Sequence, residues 1–477
     1  MAQLAFVNLS HPSDVQNRNV QTNIRRHVME DIGRSRRKRP RATVIPLQVR
    51  TRPPGKKLKG DRKSMVEITY ASGKDVHHLQ PCWSPNPCGI LGLDLDARTL
   101  QILHFVRSVA DYKHRAYLTI WIRMGLSDPT ALKLSMASSS LFWDQAHGKP
   151  DSVEYNDNPE STRYYFEGLG QLSKRLRDPH ESVSAGVIAS ILGCICHDLT
   201  VGNWDRWAVH LNGLHRISNL RGGFEGLENS IALIAFWLDI AGRTVLNSPP
   251  WFPIPREICM PEVEEVPPAL ERLLVGLGSA YPQLSPVLCV LRMMSWVAET
   301  VNRDSDSTQF WKNEVWAIHL IGPVTHRLLS IPRLSDDPTK ESDASVVGEM
   351  VRLSCLIALS GLKKGFCLNS SDMVPLQAKF AELAARNLRE TDSRLQDLRL
   401  WALVTSALLR PSDARLPLIS HIQGHIVSQG LVDARAAVDI ARALVWIEAL
   451  EAHEEIGLVE QINGDDVSCF SPPKFVG

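Results

Sequence analysis

From Asp96 onward the apolar side chains recur at helical spacing, and no credible run alternates with the period of two that a half-buried strand needs. That regularity removes sandwiches, barrels and doubly wound sheets, and it predicts an all-α fold. The clearest segment places Trp204, Trp207, Leu211, Leu214 and Ile217 at i, i+3, i+7, i+10 and i+13, with Asp205, Asn212 and Arg216 off the stripe. Arg221-Gly222-Gly223 then closes it, as glycine beyond a helix C-terminus should. An amphipathic face over Leu100, Leu103, Val106 and Ala110 precedes it. The same pattern predicts helices over 116–124, 130–143, 164–177, 182–197, 230–246, 270–278, 286–301 and 310–329. It continues over 346–362, 375–389, 392–409, 416–428 and 432–453. Polar or proline-rich loops are expected at 145–160, 253–268 and 333–345. No period of 20–50 residues stands out, so the expectation is an irregular multi-helix array and not a repeat protein.

Charge divides the chain where the periodicity begins. The 477 residues carry a net charge of only +1, but residues 1–63 hold sixteen Lys and Arg against four Asp and Glu. The remainder is net acidic by a similar amount, so a basic arm is joined to a mildly acidic body. We expect a largely disordered basic arm over 1–80, a Pro-rich linker over 81–95, and a helical body over 96–477. Within the arm, Ile24, Val28 and Ile32 mark one short conditional helix inside 15–39.

Nine cysteines in no dense framework, and an N-terminus without a basic region followed by a long apolar run, predict an intracellular, reducing setting. The longest nearly uncharged apolar run, 183–196, has fourteen residues, short of the roughly 18 that span a membrane. No membrane partner is therefore expected.

Catalytic and metal motifs are absent from the sequence. Gly168-Leu169-Gly170 does not follow a strand, no G-x-x-x-x-G-K-[ST] loop or nucleophile elbow occurs, and His453-Glu454-Glu455-Ile456-Gly457 fails the H-E-x-x-H pattern at its last position. Asp94-Leu95-Asp96 reads as an N-cap before Ala97. Cys194-Ile195-Cys196-His197-Asp198 looks metal-like, but adjacent helical residues diverge by about 100°, so at most two could face one ion. Cys82 and Cys88 have no second pair nearby. The reading assigns no catalytic residue, no cofactor and no metal.

The basic arm carries the strongest functional signal. Arg34, Arg36, Arg37, Lys38, Arg39 and Arg41 fall within eight residues, and Lys56, Lys57, Lys59, Arg62 and Lys63 form a second cluster. Such runs suit a nuclear import receptor, or weak, salt-dependent and sequence-independent contact with DNA phosphates.

Two stretches also resemble a known family. Phe6-Val7-Asn8 followed by Ile24-Arg25-Arg26-His27-Val28-Met29-Glu30-Asp31-Ile32-Gly33-Arg34 resembles the opening of fungal-specific transcription-factor-domain proteins. Trp207, His210, Gly213 and Leu214, followed by Arg221-Gly222-Gly223, resemble that family's W-x-x-H-x-x-G-L…R-G-G helix, and Phe236-Trp237-Leu238-Asp239 its next helix. The resemblance covers roughly 1–60 and 90–250. It implies a nuclear regulator whose helical body contacts other transcription proteins, forms a homodimer or heterodimer, or responds to a small molecule. It also implies a zinc cluster of six close cysteines, yet this sequence has no cysteine before Cys82. The expected protein therefore regulates through partners or through weak contact by its arm. The rival reading is a helical interaction scaffold with a basic tail and no transcriptional role. On physical grounds alone, Gly213 is expected to permit close helix packing and His210 to make a buried hydrogen bond.

Overall fold

The computed structural model describes residues 95–106, 125–126, 128–148, 155–227, 229–258, 263, 265–335, 341–368, 370–389 and 392–464, all within the unit Pro81–Gly477. Among the described residues sixteen α-helices and two short 3-10 turns have assigned bounds, and no strand occurs. The expected arm, the linker as far as residue 94 and the helix over 116–124 lie outside the described residues.

The first half contains α1 (Ala97–His104), α2 (Pro129–Gly148), α3 (Pro159–Arg175), α4 (Ala185–Thr200), α5 (Trp204–Arg221) and α6 (Asn229–Leu246). Short polar side chains start several of them by accepting an orphan N–H of the first turn. Asp96 accepts from Thr99 at 2.7 Å, Asn158 from Ser161 at 2.6 Å, and Asn203 from Arg206 at 3.1 Å. Helix α2 is buried on almost every side over 130–141. Its serines tolerate this because Ser135 and Ser139 donate to the carbonyls of Ala131 and Ser135, one turn back. Leu134 wedges between α3 and α4 where only glycine leaves room. A Cβ at Gly168 or Gly193 would stand 2.6 or 2.9 Å from that side chain. Helix α4 then carries α5 and α6 on its other sides.

The second half contains α7 (Pro268–Ala280), α8 (Ser285–Asp304), α9 (Thr308–Trp311), α10 (Glu314–Ser330), α11 (Asp343–Gly365) and α12 (Met373–Ala384). It ends with α13 (Ser393–Leu408), α14 (Leu416–Gln429), α15 (Ala434–Leu444) and α16 (Glu448–Asn463). Helices α11 and α13 form its axis, and α10 joins the halves by packing on both α6 and α11. One apolar core runs through both halves, from Ile102 to Ile462.

Two helical segments, Pro282–Asp304 and Asp343–Gly365, are long and apolar enough to cross a membrane by length and composition. A search for an uncharged run passes over the second because it contains Glu349 and Arg352, which neutralise each other at 2.6 Å. Of the apolar windows, 67% and 89% are buried against neighbouring helices, which accounts for their hydropathy.

Helix boundaries depart furthest from the sequence reading in five places. Helix α3 begins at Pro159 and not at 164, because Asn158 caps it there by accepting from the Ser161 N–H. Helix α2 runs on to Gly148 because His147 stacks on Trp143 with ring centroids 4.2 Å apart. Helix α12 stops at Ala384, after which the chain turns so that the Arg389 N–H donates to Asp343 at the start of α11. The helix expected over 310–329 is two: Asn313 caps a new start by accepting from Trp316, and the Trp311 indole donates back to Ser305. The helix expected over 432–453 is broken at Val445-Trp446-Ile447, and its second part continues to Asn463. Trp401 donates to the Val445 carbonyl, Asn302 bonds both Trp446 and Glu448, and the Glu451 carboxyl accepts from Ile447. Burial pushes Glu451 up to about 8. Together these three side chains satisfy backbone groups that the broken helix frees.

Candidate functional site

The segment from Asn203 to Gly223 is set from both ends. Asn203 caps α5, and Gly222 and Gly223 leave it with φ of +84° and +108°, a region costly for any side chain. The Gly223 N–H reaches back to Ser218 at 2.8 Å, and the Arg221 guanidinium donates to Val183 at 3.1 Å. The end of α5 is thereby tied to the turn before α4.

Trp207 is fully buried, with its ring against α6 at Gly242, where a Cβ would stand 2.1 Å from the indole. The next residue, Arg243, lies over the Trp251 ring at 4.0 Å and near the Trp207 ring at 5.6 Å. Arg243 pairs with Asp239, whose other oxygen accepts the N–H groups of Trp251 and Phe252 at 2.6 and 2.8 Å. The turn after Pro249-Pro250 is thus pinned onto α6.

His210 faces the opposite way, towards α3 and α4. Its Nε2 is 3.0 Å from the Tyr165 hydroxyl, which donates to Asp198 at 3.1 Å. Asp198 has no exposed surface, and the Arg206 guanidinium lies 2.8 Å from it and 4.6 Å over the Tyr165 ring. Next door, the His197 Nε2 is 2.9 Å from Asp157. Burial raises Asp198 to about 7 against the pull of Arg206, raises the Tyr165 hydroxyl far above its ordinary value, and lowers His210 to about 4. A carboxylate, a phenol and an imidazole in series could pass a proton. Tyr165 and Asp198 are sealed from solvent, however, so no substrate atom reaches them. The set works as a clamp among α3, α4 and α5.

The sequence-derived residues fall out as follows. Trp207 and Leu214 are core, His210 makes its hydrogen bond, and Gly222 and Gly223 form the turn. Gly213 does not serve close packing: no described neighbour lies within 4 Å of where its Cβ would stand. The glycine that does is Gly242, which the sequence shows only as a glycine inside an apolar helix. Cys194 and Cys196 have thiols pushed well up by burial, and His197 and Asp198 face different partners. Among the described residues no three or more His, Cys, Asp or Glu gather where they could hold a metal ion. Arg34, Arg36, Arg37, Lys38, Arg39, Arg41, Lys56, Lys57, Lys59, Arg62 and Lys63, with Cys82, Cys88 and Asp94, lie outside the described residues.

A family model for the fungal specific transcription factor domain matches residues 104–407. The chain belongs to this family. The match extends well past residue 250, where motif resemblance gives out, and takes in α8, α10, α11 and most of α13. No curated protein and no solved structure matches the chain. The clamp and the Trp207–Gly242 contact both lie inside this fungal transcription factor domain, whose family is regulatory and not enzymatic.

Proposed function

We propose that this protein regulates transcription in the nucleus, its basic arm serving import and weak DNA contact and its helical domain recruiting other transcription proteins. The observation that carries this reading is the family match over 104–407 joined to an arm that concentrates sixteen cations in 63 residues. The sequence contains no close array of six cysteines, which favours action through partners over zinc-cluster reading of a DNA site. Regulation of a metabolite gene cluster accords with the family's habit. A homodimer or heterodimer is compatible with the reading.

The test is a fluorescent fusion, intact and with Arg36, Arg37, Lys38 and Arg39 changed to Ala, paired with genome-wide chromatin occupancy. The expected result is nuclear signal that the substitutions abolish, with occupancy peaks for the intact protein. A shared motif beneath those peaks would point to a DNA-reading partner. A cytoplasmic protein without peaks would overturn the proposal in favour of a helical scaffold.

A further inference from the structure

Helix α14 turns one face, with Ser420, His421, Gly424 and His425 at i, i+1, i+4 and i+5, towards α13. Between them lies a cavity of about 360 Å3, which Arg399 of α13 and Arg389 from the preceding segment also line. No Asp or Glu stands in its wall. The carboxylate that acts on Arg399 is Asp343, and one of its oxygens already accepts the Arg389 backbone N–H at 2.6 Å.

His425 is only 6% exposed, yet its Nε2 has no hydrogen-bond partner among the described residues, and neither has Nε of Arg399. Leaving such groups unpaired costs about 1–3 kcal/mol each, so they are normally satisfied. Burial, then the charge of Arg399, holds His425 down at about 4, so its ring meets a ligand uncharged while the guanidiniums supply positive charge. Gly424 adds room: nothing described lies within 4 Å of its would-be Cβ. Two guanidiniums, two imidazoles, two hydroxyls and the Gln396 amide share the wall of this small cavity with Val347, Leu388 and Leu395, and the guanidiniums repel cations. They suit a compact oxyanion, since guanidinium bonds to phosphate or carboxylate are charge-assisted and often paired.

We propose that this cavity binds a small organic dianion of the phosphate-monoester or dicarboxylate class, held by Arg399 and Arg389 and oriented by His425 and Ser420. The size agrees, because about 360 Å3 lies at the low end of the roughly 300–1,000 Å3 typical of small-molecule pockets. The site would give the domain a metabolite input, but its occupancy is read on the purified chain and does not depend on the regulator reading.

The experiment follows thermal unfolding of the full chain at fixed ionic strength with glycerol 3-phosphate, succinate or, as a neutral control, glycerol. The expected result is a saturable rise in Tm with one of the two anions and none with glycerol, and the responding anion fixes the head group. Arg399→Gln should weaken binding at least tenfold. Gly424→Leu should abolish it by filling the cavity while leaving Tm without added anion unchanged or higher. A rise of equal size in the wild type and both variants would be general ion exclusion from the surface and would overturn the proposal. So would the absence of a saturable rise with either anion.

Discussion

His210 and His425 sit in opposite halves of the molecule with nearly the same electrostatics. Burial lowers each to about 4, and each feels one arginine, Arg206 in the first half and Arg399 in the second. Their surroundings differ. Around His210 a tyrosine hydroxyl and a fully buried carboxylate complete the set. Around His425 no described side chain does. A closed polar network fixes helices relative to one another, whereas an open one keeps hydrogen-bonding capacity for something that is not part of the body. A shifted pKa is therefore common to both places, and what differs is whether the imidazole itself has a hydrogen-bond partner.

The largest effect is expected where the first half is most tightly closed. Trp207→Ala removes a fully buried indole from the α5–α6 contact and should cost about 3–5 kcal/mol, seen as a lower midpoint in denaturant unfolding. Gly242→Leu should also destabilise the wild type, because its Cβ would overlap the indole. Placed in the Trp207→Ala background, the same leucine should restore part of the loss. If Gly242→Leu costs as much in that background as in the wild type, close approach is not what the glycine provides.

Much of this arrangement was legible in the sequence. Asn203, the Trp207–Ile217 stripe and Gly222 each act locally, so one short window from Asn203 to Gly222 contains the whole of α5 from cap to turn. The breaks at 312–313 and 445–447 were not legible, because distant side chains stabilise them. Asn302 reaches Trp446 across 144 positions of sequence, and no local window weighs that bond against continuing the helix. The clamp was half legible. Cys194-Ile195-Cys196-His197-Asp198 stood out as chemistry, but Tyr165, 33 residues earlier, and Arg206 are what give Asp198 its role. The cavity on α14 has no motif at all, since its lining comes from four separate segments.

Parallel substitutions of the two histidines sharpen the contrast directly. His210→Leu leaves the Tyr165 hydroxyl with one partner fewer beside a buried carboxylate, and should cost about 1–3 kcal/mol. His425→Leu removes a buried nitrogen that has no described partner, and should be neutral or stabilising by up to about 1 kcal/mol. Thermal unfolding without added anions reads both. Equal losses would mean that the second half is as closed as the first, and that its cavity is no site.

The smallest effect concerns a pair of helical glycines in the first half, Gly213 and Gly242. Gly213 lies inside α5 with open space beside it, so Gly213→Ala should stabilise by about 0.4–1 kcal/mol through helix propensity and a less flexible unfolded chain. Gly242→Ala, one helix away, should destabilise because even a methyl meets the Trp207 ring. Both belong to one buried unit, so opposite signs in the same unfolding assay would show that contact decides, and not the presence of glycine in a helix. The comparison also bears on function. A Gly213→Ala protein that melts higher but loses chromatin occupancy would place this position of the family motif on a surface used in regulation. One that melts higher and keeps full occupancy would leave glycine there without a structural or a functional reason.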